Sequence, residues 1–144
     1  MKPHAGQALI EAAVTIPILV VLFLGFLAAG LTAQALVDLN TSVFLAAASA
    51  VTAPAVTTPP GTSAVGQQYA AATYRGSMSH VPELTNSGVS CSGSWDPASP
   101  TGYEVTCRAT ETLLLRQTPL GIVVPFNPIL KATATAHGSP YRST

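Results

Sequence analysis

The sequence predicts an α+β protein in which a long apolar helix precedes a short second helix and a small antiparallel β-sheet. Three observations predict this fold class. Residues 12–37 contain no Asp, Glu, Lys or Arg. Residues 62–74 carry apolar residues at helical spacing, and two later segments, 103–110 and 129–136, alternate between apolar and polar positions as half-buried strands do.

The first helix is predicted from its length and its lack of charge. At about 1.5 Å of rise per residue, a helix over residues 12–37 is roughly 39 Å long, which exceeds the ~30 Å hydrocarbon core of a bilayer. Helical spacing of apolar residues continues to Val51, and a proline-rich stretch then stops it. We therefore predict a transmembrane and spine helix over residues 7–52 and a linker over 53–61.

The orientation of this helix follows from the charges at its two ends. Lys2 precedes the apolar run and Asp38 follows it. Because positive charge is retained on the cytoplasmic side of a membrane, the N-terminus is expected in the cytoplasm. The predicted location is the cytoplasmic membrane, with a single span and residues 62–144 forming an extracytoplasmic domain.

The second helix is predicted to begin after Ser63, which is a good N-cap residue, and to end near Gly76. Its apolar face is expected to consist of Val65, Tyr69 and Ala72. A short strand is predicted at residues 88–92.

Residues 103–110 are predicted to form a strand whose inner face carries Cys107 and which continues toward Leu115. Trp95 is expected to fill the small core, with an exposed contact role as the alternative. Residues 118–128 form an apolar loop punctuated by prolines, expected to pack under the sheet or to touch membrane or a neighbouring subunit.

Two cysteines, Cys91 and Cys107, follow the apolar helix. A cysteine pair in an exported segment favours a disulfide. The alternatives are two independent buried thiols, or part of a metal site. A zinc site needs about four ligands, and His80 and His137 are the nearby imidazoles. We expect the disulfide, and no metal or other cofactor.

Composition argues against several classes of function. Charged residues make up 8% of the chain, compared with about 25% in ordinary globular domains, and acids and bases are equal in number. A nucleic-acid-binding surface would need a basic stripe, which the sequence lacks. The histidines are isolated and no nucleophile-elbow or phosphate-loop motif occurs, so no catalytic residue is expected.

One acid stands at the start of the apolar run. Glu11 is the fifth residue after Gly6, and the polar residue Gln7 follows Gly6 directly. A carboxylate at the mouth of a membrane helix is costly in hydrocarbon, so it should have a partner or remain at the interface. A plain interfacial Glu near a helix N-terminus is the alternative reading.

The chain starts with GQALIEAAV at 6–14, followed by IPIL at 16–19 and by Gly25. This start resembles a type IV prepilin signal. It is similar in particular to the start of TadE-like proteins, minor pseudopilins of the Tad (Flp) tight-adherence pilus system. The segment from Leu120 through the Pro-Phe of 125–126 to KATATA at 131–136 also looks like the C-terminal part of these proteins.

The resemblance implies that residues 1–6 are a leader, which a prepilin peptidase removes between Gly6 and Gln7. It implies that Glu11 assists processing or assembly by pairing with the new amino terminus of a neighbour. The implied partners are other pilins or pseudopilins, the Tad membrane assembly proteins and membrane lipid, and incorporation into an extracellular pilus is one implied outcome.

Four further residues of the run bear on helix packing. Pro17 is expected to kink the helix, which membrane helices tolerate. Gly25, Ala29 and Ala33 recur at every fourth position, so they lie on one helical face on which another helix can pack closely. The alternative is that small residues are simply common in membrane helices.

Two other functions remain open from the sequence. The chain could be an uncleaved, single-pass anchored module that binds a ligand or another envelope protein. It could also be a secreted domain that signal peptidase releases after Ala35, since Ala33-Gln34-Ala35 has the small residues of such a site.

Overall fold

A helix of 49 residues, α1 (His4–Thr52), forms the first third of the chain. It is followed by α2 (Ala64–Met78) and by the strands β1 (Val89–Trp95), β2 (Tyr103–Thr112) and β3 (Ile129–Gly138). The protein therefore has the predicted α+β fold. The computed structural model describes residues 4–53, 61–81, 83–85, 87–95 and 102–138, with backbone alone for residues 4–8.

The long helix ends where the sequence predicts. Ala53 follows it, with its N–H bonded to the carbonyl of Ala50. Pro54 comes next in the chain, and the residue before a proline is disfavoured in the helical region. Residues 54–60 of the predicted linker lie outside the described residues, as does Lys2 in the predicted leader.

The three strands form an antiparallel meander in the order β1-β2-β3. Along β2 the odd-numbered positions from Tyr103 to Glu111 are buried and the even-numbered positions are more exposed. This alternation gives the sheet an inner face and an outer face. The predicted strand at 103–110 is confirmed and extends to Thr112, and the strand predicted at 129–136 extends to Gly138.

The core lies between the inner face of the sheet and the two helices. Leu39 and Val43 of α1 are fully buried, together with Val105 and Cys107 of β2. The remaining helix positions in this interface are small: Ala35, Ala46, Ala47 and Ala50. Alanines at helical spacing allow the neighbouring elements to approach the backbone of α1 closely.

The second helix confirms one sequence prediction and corrects two. Its N-cap is Ser63, whose Oγ accepts a hydrogen bond from the N–H of Gly66 at 3.0 Å. Gly76 does not end the helix, which continues to Met78 with Ser79 as C-cap. The predicted face of Val65, Tyr69 and Ala72 is exposed, and the buried face consists of Gly66, Ala70, Tyr74 and Met78.

The buried face of α2 has a physical basis. Gly66 and Ala70 allow close approach to the neighbouring elements, and Tyr74 reaches a polar partner inside the core. The buried face of α2 therefore combines small residues with one hydrogen-bonded phenol.

Trp95 does not fill the core, contrary to the favoured prediction, because 57% of its surface is exposed. It is the last residue of an edge strand and lies opposite Tyr103. Tyr103 occupies the buried position at this end of the sheet, and its hydroxyl donates to the carbonyl of Val51 at 2.9 Å. Since α1 ends at Thr52, the helix layer does not extend over Trp95.

Candidate functional site: the N-terminal helix and its packing surfaces

The helix α1 passes through two different environments, which meet at Ala28. Between Leu9 and Leu27 every side chain is exposed except Leu24 and Gly25, which are half-buried. We call Leu9–Leu27 the bare segment. From Ala28 onward one face of the helix is buried against the rest of the protein, and we call Ala28–Thr52 the packed segment. Its buried positions are Ala28, Ala35, Leu39, Ser42, Val43, Ala46, Ala47 and Ala50.

The bare segment is apolar on all sides. Leu22, Phe23 and Phe26 are each at least 60% exposed, although such side chains are normally buried. Among the described residues, α1 is the one helix that is long and apolar enough to cross a membrane, judged by length and composition. From Leu9 to Ala28 it rises roughly 30 Å, which matches the ~30 Å hydrocarbon core. The span predicted over residues 12–37 therefore overlaps the packed segment from Ala28 onward.

The three residues of the predicted processing site lie near the start of α1. The helix begins at His4, so the Gly6–Gln7 peptide bond is within helical backbone. Glu11 is exposed and lies one turn further along the helix. The structure brings these residues together only through their proximity on the first turns of one helix, and their roles in processing remain predictions.

The predicted packing residues lie further along the same helix. Pro17 is inside α1, which is continuous across it. Gly25, Ala29 and Ala33 line an apolar groove of about 470 Å³, which Val124 and Phe126 close on the other side. The small-residue face therefore forms one wall of this groove, and Ala29 and Ala33 remain exposed in it. Its use by a neighbouring subunit remains a prediction.

The cysteine prediction is confirmed, because Cys91 and Cys107 form a disulfide. They are directly opposite each other in the β1–β2 register, with a Cα–Cα distance of 4.0 Å. Cys107 is fully buried and Cys91 is 6% exposed. Disulfides persist in oxidising compartments, so the bond and the apolar helix together indicate an extracytoplasmic domain that follows a membrane or export segment.

A buried carboxylate that sequence reasoning missed lies in the core. Glu111 is fully buried and its Oε1 accepts a hydrogen bond from the Tyr74 hydroxyl at 2.7 Å. Thr85 Oγ1 donates to Oε2 at 3.2 Å, and the Ser87 N–H lies 3.0 Å from both oxygens. The Gly88 N–H adds a longer contact of 3.4 Å to Oε1. Donors from α2 and from the segment before β1 thus converge on one side chain of β2.

The ionisation of Tyr74 is shifted by this arrangement. Burial raises the pKa of Tyr74 far above 10, and the hydrogen bond to Glu111 and its negative charge raise the pKa further. The phenol therefore remains a donor to the carboxylate at physiological pH. Because both oxygens of Glu111 accept hydrogen bonds from other elements, the side chain ties three elements together.

The sequence did contain a signal for Glu111. The inner-face positions of β2 are 103, 105, 107 and 109, and 111 is the next in phase. An acid in phase with buried positions predicts a carboxylate with internal donors, since an unpaired one is costly. Gly88 has φ of 100°, a conformation that glycine adopts readily, and it turns the chain so that consecutive N–H groups face the carboxylate.

Two further grooves contain ionisable groups. One, of about 510 Å³, lies between α2 and the β1–β2 hairpin, and Arg75 and Arg108 both line it. The other, of about 450 Å³, is lined by Asp38, His80 and Glu83 beside α1. In the part of the chain that the structure describes, no group of three or more His, Cys, Asp or Glu side chains is placed to hold a metal ion.

The overall arrangement is pilin-like: a long apolar N-terminal helix followed by a small antiparallel sheet with a disulfide. This architecture is consistent with membrane anchoring or with assembly through the helix. Comparison with protein-family models, with curated proteins and with solved structures finds no match to this chain.

Proposed function

We propose that this chain is a minor pseudopilin of the TadE-like type, which acts as a structural component of a Tad (Flp) pilus assembly system. The observation that carries this proposal is the division of α1 at Ala28. A bare apolar segment is available to lipid or to the helices of other subunits, while the packed segment is part of the core of the domain.

This division suits a subunit that moves from a membrane into a filament. In lipid the bare segment is solvated by acyl chains, and in a filament the apolar helices of other subunits replace them. Because Leu39 and Val43 are fully buried, the packed segment is part of the folded domain. A force applied to the helix is therefore transmitted to the exposed domain without an intervening hinge in the packed segment.

The proposed role of Glu11 is to pair with the amino terminus that cleavage after Gly6 creates. Removal of residues 1–6 creates an amino terminus at Gln7, and Glu11 lies four residues further along the helix. At the edge of the hydrocarbon each charge alone is costly, so the amine of one subunit and the carboxylate of another stabilise each other when the helices pack side by side.

The proposed partners are a prepilin peptidase, other pilins or pseudopilins, the membrane proteins of the Tad assembly system, and lipid. We propose no enzymatic activity. The most conspicuous buried acid, Glu111, is held by internal donors, and the described part of the chain offers no cluster of metal-binding side chains. Sparse and balanced charge also argues against a nucleic-acid partner.

Release by signal peptidase after Ala35 fits the structure less well. Ala28 and Ala35 are both buried in the core, and this cut would place both residues on the discarded side. The uncleaved anchored binding module gains some support from the groove that Arg75 and Arg108 line, since two guanidinium groups on one open groove suit an anionic ligand.

The mature N-terminus separates the three functions. Protein purified from native membranes is analysed by N-terminal sequencing and intact mass. A start at Gln7, with or without methylation of its amine, supports the pseudopilin. A start at Met1 supports the uncleaved anchor, and a start at Leu36 supports the secreted domain.

The role of Glu11 is tested separately by Glu11→Gln, which removes the charge and keeps the shape. We expect membrane insertion to persist while crosslinking to other pilins and pilus formation are lost. Glu83→Gln is the matched control, because the Glu83 side chain is exposed and lies outside α1. Normal assembly of the Glu11→Gln protein would falsify the proposed pairing.

A further inference from the structure

The loop between β2 and β3 has a fixed shape. We call residues 115–128 the 3₁₀ loop, since it contains two 3₁₀ turns, Leu115–Gln117 and Pro119–Ile122. Thr118 Oγ1 donates to the carbonyl of Leu115 at 2.7 Å and accepts from the Leu120 N–H at 3.3 Å. The backbone N–H of Arg116 donates to Asn127 Oδ1 at 3.0 Å, which joins the two ends of the loop.

The fold of this loop is also tight. A Cβ added to Gly121 would lie 2.5 Å from the carbonyl oxygen of Arg116, so only glycine fits there without movement. The outward side chains of the loop are therefore held in place by an ordered backbone.

The 3₁₀ loop has large apolar side chains on both of its sides. Leu115 and Leu120 are buried beneath it. On the outside, Ile122 is 89% exposed and Phe126 is 63% exposed, and Ile129 at the start of β3 is 64% exposed. Large apolar side chains held outward on an ordered loop are typical of an interaction surface.

Part of the 3₁₀ loop lies beside the end of the bare segment. Val124, Phe126 and Pro128 line the apolar groove whose other wall is the part of α1 from Gly25 to Leu36. The first buried residue of α1, Ala28, falls inside that stretch. If the bare segment crosses the hydrocarbon, the 3₁₀ loop lies at the point where the helix leaves it.

The opposite end of the domain is far from this boundary. Tyr103 bonds to Val51, and Trp95 is its neighbour across the strands. Val51 is 23 residues after Ala28, which corresponds to roughly 34 Å along the helix. The two ends of the sheet are thus distinguished by their distance from the bilayer, and the exposed apolar loop belongs to the near end.

The charges beside the loop suit a lipid surface. Residues 115–128 contain no acid, and Arg116 is exposed within them. Lys131 is exposed two residues after Ile129. Two acids, Asp38 and Glu83, line a groove together with the buried Leu115 and with Thr118 at the start of the loop. Asp38 is ten residues beyond Ala28 along α1, or roughly 15 Å further from the boundary. Apolar side chains flanked by basic ones favour insertion at the headgroup level of a bilayer.

We propose that the 3₁₀ loop is a second membrane contact, which inserts Ile122 and Phe126 into the outer leaflet beside α1 and places Arg116 near lipid phosphates. The occupant of this surface is lipid, and the surface is continuous with the bare segment. The inference rests on the proposed membrane anchoring. Two contacts fix the tilt and rotation of the domain relative to the bilayer, whereas one helix alone leaves both free.

The test uses Trp fluorescence in the full-length chain. The protein is reconstituted at a low protein-to-lipid ratio into vesicles of phosphatidylethanolamine and phosphatidylglycerol, with or without brominated acyl chains, which quench nearby indoles. Trp95→Phe removes the one native Trp. Phe126→Trp is then added to report on the loop, and Phe23→Trp to report on the bare segment. The unmodified protein, with Trp95 at the far end, is the internal control.

We expect brominated lipid to quench the Trp at 126 by a fraction comparable to the Trp at 23, and to leave native Trp95 unquenched. Quenching at 23 without quenching at 126 would overturn the loop contact and leave the anchor intact. Absence of quenching at both positions would overturn the anchor itself. If the Trp at 126 becomes less quenched by brominated lipid as the protein-to-lipid ratio rises, a second copy of the chain covers this surface. That result would overturn the lipid contact.

Discussion

The bare and packed segments of α1 belong to one unbroken helix, yet they are stabilised by different surroundings. The bare segment is rich in Leu, Ile, Val and Phe on all sides, and none of these side chains is fully buried. The packed segment is rich in Ala and has one buried face centred on Leu39 and Val43. A helix surrounded by lipid needs bulk apolar surface, whereas a helix packed on a sheet needs small residues at defined positions.

Membrane location and folding of the domain are assigned to different segments of this one helix. Substitutions in the bare segment should change where the protein resides, and substitutions in the packed segment should change whether the domain folds. The stability measurements use the full chain in detergent micelles, with near-ultraviolet circular dichroism reporting on the domain.

The strongest test places the same acid at matched valines of the two segments. Val43→Asp buries a carboxylate in the core without a built-in partner, so we expect the domain to unfold while vesicle flotation persists. Val20→Asp places the same acid in the bare segment, where inserting it into the membrane costs about 2.5–3.5 kcal/mol. We therefore expect a smaller fraction of this variant to float with vesicles, while the near-ultraviolet signal of the folded domain persists. Loss of both properties in either variant would contradict the division at Ala28.

Removal of the disulfide should lower the free energy of unfolding of the domain by about 3 kcal/mol, from the chain entropy of the loop it closes. Cys91→Ala combined with Cys107→Ala is measured by urea unfolding. The control pair is Ser92→Ala with Thr106→Ala, which face each other at the next register position and should cost about 1 kcal/mol or less. The fraction of protein that floats with vesicles should not change. If both double variants lose the same free energy of unfolding, the disulfide does not stabilise the domain.

Glu111→Gln should destabilise the domain by about 1–3 kcal/mol. The Ser87 N–H contacts both carboxylate oxygens, so an amide NH₂ in either orientation opposes a donor. Glu104→Gln is the control, since Glu104 is on the outer face of the same strand and is only half-buried. Urea unfolding compares the two, and a Glu111→Gln protein as stable as the control would show that the donors are satisfied in another way.

The smallest expected effect is a loss of stability in alkali. The folded state raises the pKa of Tyr74 above the ordinary value of 10.0, whereas the unfolded chain has no such shift. Below pH 10 the phenol is protonated in both states and contributes no pH dependence. Above about pH 10 the unfolded chain releases this proton first, so stability falls by up to about 1.4 kcal/mol per pH unit. Urea unfolding at increasing pH should show this slope in the native chain, and Tyr74→Phe should reduce it.

Local pattern was sufficient to predict much of the fold. Three features could be predicted because each depends only on residues that are close together in the sequence. They are the uncharged helix over residues 12–37, the N-cap at Ser63 and the strand alternation at 103–110. The cysteine pair was also predictable, because an exported hairpin favours a disulfide. In the candidate site, the sequence indicated the apolar helix and the bond, while the processing residues keep the status of predictions.

Other features depend on contacts between distant segments. The division of α1 at Ala28 arises where the 3₁₀ loop meets the helix, and no periodicity within the helix marks that point. The buried face of α2 was misassigned because the Tyr74 hydroxyl bonds to Glu111, 37 residues away. Trp95 was expected inside because of its size, but the helix that would cover it has already ended.

The position of the disulfide has a consequence for the order of maturation. The bonded sulfurs face the helix layer, and Cys107 is wholly shielded in the finished domain. A thiol oxidase therefore needs access to the hairpin before α1 closes over it, and a reductant has little access afterwards. After export, we therefore expect the disulfide to form first and α1 to pack on the sheet afterwards. A defect in oxidative folding would then leave α1 without a folded domain attached to it.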